Sequence, residues 1–438
     1  MNYAVKVKRS LFDIMDKMEA DPSRYVNNPG KDFIRHRTLS FSTTLKCVIS
    51  MGSASIKQEL FDFFDFSSQT PSSSALIQQR KKIKPDAFSQ ILSEFNHRFP
   101  AKRSFQGYTL LACDGSVLNL PANISKESKE KYCYKVKRAE QKDYYQMHLN
   151  TLFDVLNKRF IDVQVNPRKG NLERDALMEM IEKNHFNKKT IFIADRGYES
   201  YYLMGHMNCH DLKYVIRVKD SSTGGIVKGF HLPHNGEYDE EFTRLFTHRD
   251  NAMVRNNPEK YHRIHNSRHG SFITKENPYV EMMVRIVRVE VAPGIYECIA
   301  TNLRQEEFST EQIKDIYRLR WGIETSFREL KHTIGLTKLH SKIPELIMQE
   351  ILAKMIVYNF CSVIIAKIVL KKKEHKYIYQ INYTTAMYLC VRLLRNKQKY
   401  PPDIIALIER ELLPVRPDRK FPRNKTFAYA HSFLYRTI

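Results

Sequence analysis

Between residues 109 and 219 the sequence sets out five apolar, β-rich runs and one helical stretch, in an order that few architectures accept. The runs are TLLAC (109–113), HLNTLFDV (148–155), RFIDVQV (159–165), TIFIA (190–194) and KYVIRVK (213–219). The short turn at 156–158 joins the second and third runs as a hairpin, and 173–183 has helical periodicity. Strand, hairpin, helix, strand, helix-like linker, strand is the order of a mixed α/β sheet. Two of the runs end in a carboxylate followed by a turn: Asp114 before Gly115-Ser116, and Asp195 before Arg196-Gly197. The C-terminal ends of strands are where open α/β sheets place their sites, so both aspartates are candidates for chemistry.

The segments around this block read differently. Residues 221–303 contain Gly224-Gly225, Pro233, Gly236 and a His/Asn/Arg-rich stretch (248–269), then alternating runs at 281–291 and 296–303, which suits a β-rich insertion. The leading segment offers helices at 55–64 and 73–82 with a polar turn between them; the second ends in a basic run. A helix-turn-helix or small bundle approaching DNA fits these residues, and so does an ordinary helical pair with a solvated basic face. The trailing segment has an apolar helix over 343–370, lysines at 371–373, Pro401-Pro402 and a basic tail with Arg416, Arg419, Lys420, Arg423 and Lys425. That tail suits dimerisation or DNA contact, and equally a domain cap with a solvated end. The boundaries expected are 1–105, 106–220, 221–303, 304–340 and 341–438.

Composition narrows the partners. The 438 residues carry 71 Lys and Arg against 48 Asp and Glu, an excess of +23, which points to a polyanion, most commonly nucleic acid. Residues 1–105 hold +7 of it and 341–438 hold +11, leaving +5 for 106–340. Grip is expected at the ends and chemistry in the nearly balanced centre. Seven scattered cysteines without a CxxC pair fit a reduced compartment. No signal-peptide pattern is present, and the most apolar stretch, 355–366, is closed by Lys354 and Lys367, short of the ~20 residues of a membrane span. His206, Cys209 and His210 bunch like metal ligands but lack a second pair at zinc spacing. His262, His265 and His269 read as surface or DNA-facing residues of the insertion. No GxxxxGK[ST] loop suggests a nucleotide cofactor.

The strongest helical periodicity lies at 310–335, TEQIKDIYRLRWGIETSFRELKHTIG. At about 100° per residue, Tyr317, Arg320, Glu324, Arg328 and Lys331 share an arc of about 80°. Ile316, Leu319, Ile323, Phe327, Leu330 and Ile334 fill the neighbouring arc. One stripe is built for burial. The other would serve as a solvated face laced with i, i+4 pairs, or as a reactive face if Asp114 and Asp195 stand opposite it.

Asp114 after a strand, DRGY from Asp195, and Tyr-x2-Arg-x3-Glu-x6-Lys at Tyr317, Arg320, Glu324 and Lys331 resemble the DDE triad and YREK signature of insertion-sequence transposases of the fourth insertion-sequence family. The resemblance implies an RNase H-like mixed α/β core, interrupted by a β-rich insertion and flanked by α-helical N- and C-terminal regions. It implies that Asp114, Asp195 and Glu324 are catalytic and hold two Mg²⁺ ions, replaceable by Mn²⁺, with Asp114 bridging them. It gives Tyr317, Arg320 and Lys331 the terminal DNA backbone, with Arg217 and Lys219 as further contacts. Family members that form a DNA hairpin often stack a flipped base on a tryptophan of the insertion. The only tryptophan here is Trp321, in the signature helix, and Tyr296 stands at the corresponding place, also readable as a plain strand residue. The implied partners are double-stranded DNA, both element ends and target, and a second copy of the chain, in a bacterial cytoplasm and away from membranes. Two other readings stay open: a transposase-derived DNA-binding protein that no longer cuts, and an RNase H-like repair nuclease.

Overall fold

A computed structural model describes residues 2–120, 124, 126–134, 144–167, 173–220, 225–233, 235–265, 272–368 and 378–415; the lysines at 371–373, His269 and the basic tail lie outside them. Five helices lead: α1 (Tyr3–Ala20), α2 (Phe41–Ser50), α3 (Ile56–Phe63), α4 (Ser73–Arg80) and α5 (Asp86–Arg98). The central block follows as β1 (Thr109–Leu120), α6 (Lys126–Tyr132), β2 (Cys133–Tyr134), β3 (Tyr144–Asp154), β4 (Arg159–Pro167), α7 (Glu173–Asn184), β5 (Thr190–Ala194), α8 (Tyr201–Cys209) and β6 (Lys213–Val218). Then come β7 (Tyr238–Thr247), α9 (Ala252–Arg255), β8 (Tyr261–Arg263), β9 (Val280–Ala292) and β10 (Ile295–Thr301). The chain returns through α10 (Thr310–Leu319), α11 (Trp321–Arg328) and a π-helical turn at Glu329–Thr333. It ends with α12 (Pro344–Ile365), β11 (Tyr379–Ile381), α13 (Tyr383–Arg395), α14 (Ile404–Arg410) and β12 (Leu412–Pro414).

Among the described residues ten strands form one sheet in the order β2-β3-β1-β5-β6-β10-β9-β7-β8, with β4 also on β3. Its core, β4-β3-β1-β5-β6, has β1, β5 and β6 parallel and β3 antiparallel to both neighbours, which is the RNase H-like arrangement. The β-rich insertion is not a separate layer: β10 pairs with β6 and carries β9, β7 and β8 outward on the same sheet. Alternation divides the sheet residues between two cores. Leu110, Ala112, Ile191, Ile193, Val215 and Ile299 face α10, α11 and the flanking helices. Leu111, Cys113, Phe192, Ala194, Ile216 and Cys298 face α7, α8 and the insertion.

The two ends of the chain share the first of these cores. In α1, Val7, Leu11, Ile14 and Met18 recur at helical spacing and are buried, and the Asn2 side chain caps the helix by accepting from the Ala4 amide at 3.0 Å. They pack with α2, α5 and α13 around α12, which is mostly apolar around its circumference because it is enclosed, with Gln349, Glu350, Lys354 and Asn359 buried among its apolar residues. Among the described residues α12 is the one helix long and apolar enough to cross a membrane, and it is a buried core helix. Arg80, in the basic run that ends α4, is buried too, 3.0 Å from Glu350 of α12 and donating to the Leu346 carbonyl at 2.8 Å. His262 is likewise buried rather than on the surface, ringed by Tyr201, Phe230 and Phe246, because the β8 pleat turns it into the second core; His265 is exposed.

Candidate active site

Parallel pairing of β1 with β5 ends at Cys113↔Ala194, so Asp114 and Asp195 are the next residues on two adjacent strands. Alternation gives them the face of Ala112 and Ile193, which is the face of the signature helix. The expected turn after Asp114 is absent: β1 runs on to Leu120 because β3 pairs with it throughout, and Asp114↔Thr151 lies mid-strand. What ends at Asp114 is the parallel ladder, and the gap beside it is left open by β5. Asp195 does terminate its strand. Its Oδ1 accepts the Gly197 N–H at 2.8 Å and caps the short turn Arg196–Tyr198.

The 310–335 stretch opens with a capping box between Ser309 and Gln312. It is not one uniform helix. Helical backbone continues through Arg320 between α10 and α11, and the last turn widens, with the Ile334 N–H bonding to the Glu329 carbonyl at 2.9 Å. Ile313, Ile316, Ile323, Phe327 and Leu330 are buried, as the apolar stripe requires. From the other stripe, Arg320 donates to Glu324 Oε1 at 2.9 Å and stands 3.8 Å from Asp114 Oδ2, so one guanidinium serves two carboxylates. Arg320 is 5% exposed and is flanked by the rings of Trp321 at 4.9 Å and Tyr317 at 5.8 Å. Burial pushes the Tyr317 phenol up.

Burial also pushes Asp114 up, to about 6; the Gly115 N–H and Arg320 pull it down, and repulsion from Asp195 and Glu324 pushes it up again. Asp114 therefore feels both of the other carboxylates across the site. Lys331 lies at the edge of this group. The widened turn lets its ammonium donate to Ser116 Oγ at 2.6 Å and to the Val117 carbonyl at 3.0 Å, and burial lowers its pKa.

The weaker candidates separate by face. Arg217 lies on the signature-helix side, paired with Glu297 at 3.0 Å and close enough to Tyr317 to act on its charge. Lys219 is exposed just past β6, its backbone N–H held by Glu199 at 2.9 Å. Tyr296 shares the pleat of Cys298 and so faces away from Glu324, with the Arg288 guanidinium 4.0 Å above its ring. Arg328 is exposed. Sequence reasoning did not single out Glu173, His148, Ser116 or Glu297. The only local signal for any of them is the run of polar residues Gln146, His148 and Asn150 at alternate positions of β3.

All the candidate metal donors are carboxylate oxygens, the set Mg²⁺ prefers, and a cation would favour the ionised form of Asp114, which burial first and then Asp195 and Glu324 disfavour. The residues fit such an ion chemically. In the present arrangement no three His, Cys, Asp or Glu side chains among the described residues converge on one point; Arg320 bridges Asp114 and Glu324 instead. His206, from the zinc-like trio, packs edge-on against Tyr202 with ring centroids 4.5 Å apart.

Residues 105–360 match the sequence profile of a family described as "Transposase DDE domain". The chain is similar to the transposase InsG of insertion sequence element IS4 from Escherichia coli K12, with 23% identity over 80% of this chain and 75% of that one. It is also similar to the putative transposase InsL of element IS186A from the same organism, with 38% identity over 16% of this chain and 20% of that one. A cryo-EM structure of the piggyBac transposase synaptic complex with hairpin DNA aligns over 96% of this chain and 87% of that one, at 9% identity and a TM-score of 0.48.

Proposed function

The chain belongs to the transposase DDE-domain family, and on that premise we propose that Asp114, Asp195 and Glu324 are the catalytic carboxylates of a DNA transposase acting on the ends of an insertion sequence. The observation that carries the assignment is the meeting of two neighbouring strands and one helix, with Arg320 held between Asp114 and Glu324.

As a DNA transposase the protein cleaves DNA and transfers strands. Divalent metal is usual in the family, and two Mg²⁺ ions bound by the three carboxylates would stabilise charge on the attacking and leaving oxygens. The chain's own residues do the rest. Asp114 and Asp195 sit on strands of one parallel ladder, so their backbones are rigid relative to each other. Arg320 cancels part of the carboxylate charge that would repel a phosphodiester. Planar guanidinium groups suit phosphate oxygens, and Arg320 reaches the DNA from the floor of the site, with Tyr317 beneath it and Lys331 at its edge. Arg217 and Lys219 extend the contact on the same side, and Tyr296 touches DNA only beyond this face.

The flanking regions, with their excess of +7 and +11, bind the element's terminal repeats and join two copies of the chain. The site of action is the bacterial nucleoid. The test is cleavage of a labelled duplex carrying the element's end, with Mg²⁺. Asp114→Asn, Asp195→Asn and Glu324→Gln should each abolish cutting while binding in a gel shift persists; cutting by Asp114→Asn would sink the assignment. A denaturing gel of the products reads hairpin against linear ends.

A further inference from the structure

Glu173 stands in the first turn of α7, and its two oxygens reach the two glycines that follow the catalytic aspartates. A Cβ on Gly115 would fall 2.8 Å from Glu173 Oε1, and a Cβ on Gly197 would fall 3.2 Å from Glu173 Oε2. Glycine at both positions is what admits one carboxylate between the two strand segments. Gly115 opens toward the α7 face while Asp114 opens toward the signature helix. Glu173 therefore meets the β1 backbone from behind the site.

The carboxylate is itself held. His148 Nε2 lies 3.3 Å from Glu173 Oε1, and His148 Nδ1 lies 2.9 Å from Asn150 Oδ1, on the residue paired directly with Gly115. The His148 ring also abuts Gly115, where an added Cβ would fall 2.2 Å from Cε1. The next residue of α7, Arg174, donates to the Gly197 carbonyl at 3.0 Å. A carboxylate in the first helical turn is favoured by the helix dipole, which explains its tolerance there but not its contact with both glycines.

We propose that Glu173, backed by His148, is a positioning residue that sets the separation of the Asp114 and Asp195 backbones and so tunes divalent-cation binding. Side chains that orient metal ligands from outside the coordination sphere carry about 10- to 100-fold in affinity or activity. The inference rests on the reading of Asp114 and Asp195 as metal-binding carboxylates.

Mn²⁺ binding to the full chain, followed by the EPR signal of free Mn²⁺, tests both. Glu173→Ala should weaken Mn²⁺ binding about 10- to 100-fold, and Glu173→Gln, which keeps the volume and loses the charge, should weaken it less. Melting temperature without metal and gel-shift binding of DNA ends should not change. Wild-type Mn²⁺ affinity in a folded Glu173→Ala protein overturns the proposal. If that variant does not fold, wild-type affinity in Glu173→Gln overturns it by leaving Glu173 a purely structural role. If Asp114→Asn binds Mn²⁺ as well as the wild type, the carboxylate assignment has failed, and the positioning role falls with it for that separate reason.

Discussion

Lys331 donates a 2.6 Å hydrogen bond to Ser116, across 215 residues of sequence. The lysine of the signature is thereby tied to the strand that carries Asp114, two residues past the carboxylate. A widened helical turn makes the reach possible, and the Val117 carbonyl takes a second bond at 3.0 Å. The cation that the proposed function gives to DNA also fixes the strand beneath it.

Ser116→Ala should lower strand cleavage about 10-fold, since a hydrogen bond to a charged group contributes about 1.5–3 kcal/mol and 1.4 kcal/mol is tenfold in rate. Lys331→Ala should cost more. If Ser116 acts by holding Lys331, the double variant should cut no more slowly than Lys331→Ala alone. Additive losses in single-turnover cleavage would show that the two residues act independently.

Burial raises the Asp114 pKa from its ordinary 3.8 to about 6. Between those values the folded chain binds the proton more tightly than the unfolded chain, so this group's effect on stability worsens as pH rises from about 4 to about 6. Asp114→Asn should therefore stabilise the protein at pH 7.5 by up to about 3 kcal/mol, at about 1.4 kcal/mol per unit. The gain should vanish near pH 4. Thermal unfolding of both proteins at the two pH values checks it, and an equal gain at pH 4 would refute the cause.

Glu350 is buried in α12 beside Arg80 and His340. Burial opposes its ionisation, but Arg80 and His340 overcome that and hold the carboxyl down at about 2. With the folded value depressed, its stabilisation is present above the unfolded pKa and is lost only as pH falls toward 2. Glu350→Gln would leave Arg80 charged and unpaired in the interior, and should cost about 3–5 kcal/mol at neutral pH by denaturant unfolding.

Burial, assisted by Arg244, lowers the His262 pKa to about 4. The unfolded chain then takes up the proton first as pH falls below about 6.5, so stability is lost progressively down to about pH 4, by about 3 kcal/mol. His262→Phe, which keeps a ring among Tyr201, Phe230 and Phe246, should move the acid unfolding midpoint to lower pH. An unchanged midpoint would show that other groups set the acid limit.

The strand and helix pattern was legible because its periods are local. Runs at 190–194 and 213–219 became β5 and β6, and the 173–183 helix became α7, nearly to the residue. The same locality explains the misreadings. Asp114-Gly115-Ser116 looks like a strand end, yet an antiparallel partner distant in sequence carries the ladder through it, as Asn150↔Gly115 and Leu149↔Ser116 show. A basic run ending a helix looks solvent-facing, yet Arg80 hydrogen-bonds Gln349 across 269 residues.

The amino-acid sequence by itself determined the mixed α/β class, the two aspartates after apolar runs, and the stripe that puts Arg320 and Glu324 together, because periods of 2 and 3.6 residues act between near neighbours. Only the tertiary structure decided which strands lie side by side, that Tyr296 faces away from Glu324 while Arg217 faces Tyr317, that Lys331 holds Ser116, and that Glu173 lies behind both aspartates. Those relations depend on how the sheet closes its two cores, and no local period carries that information.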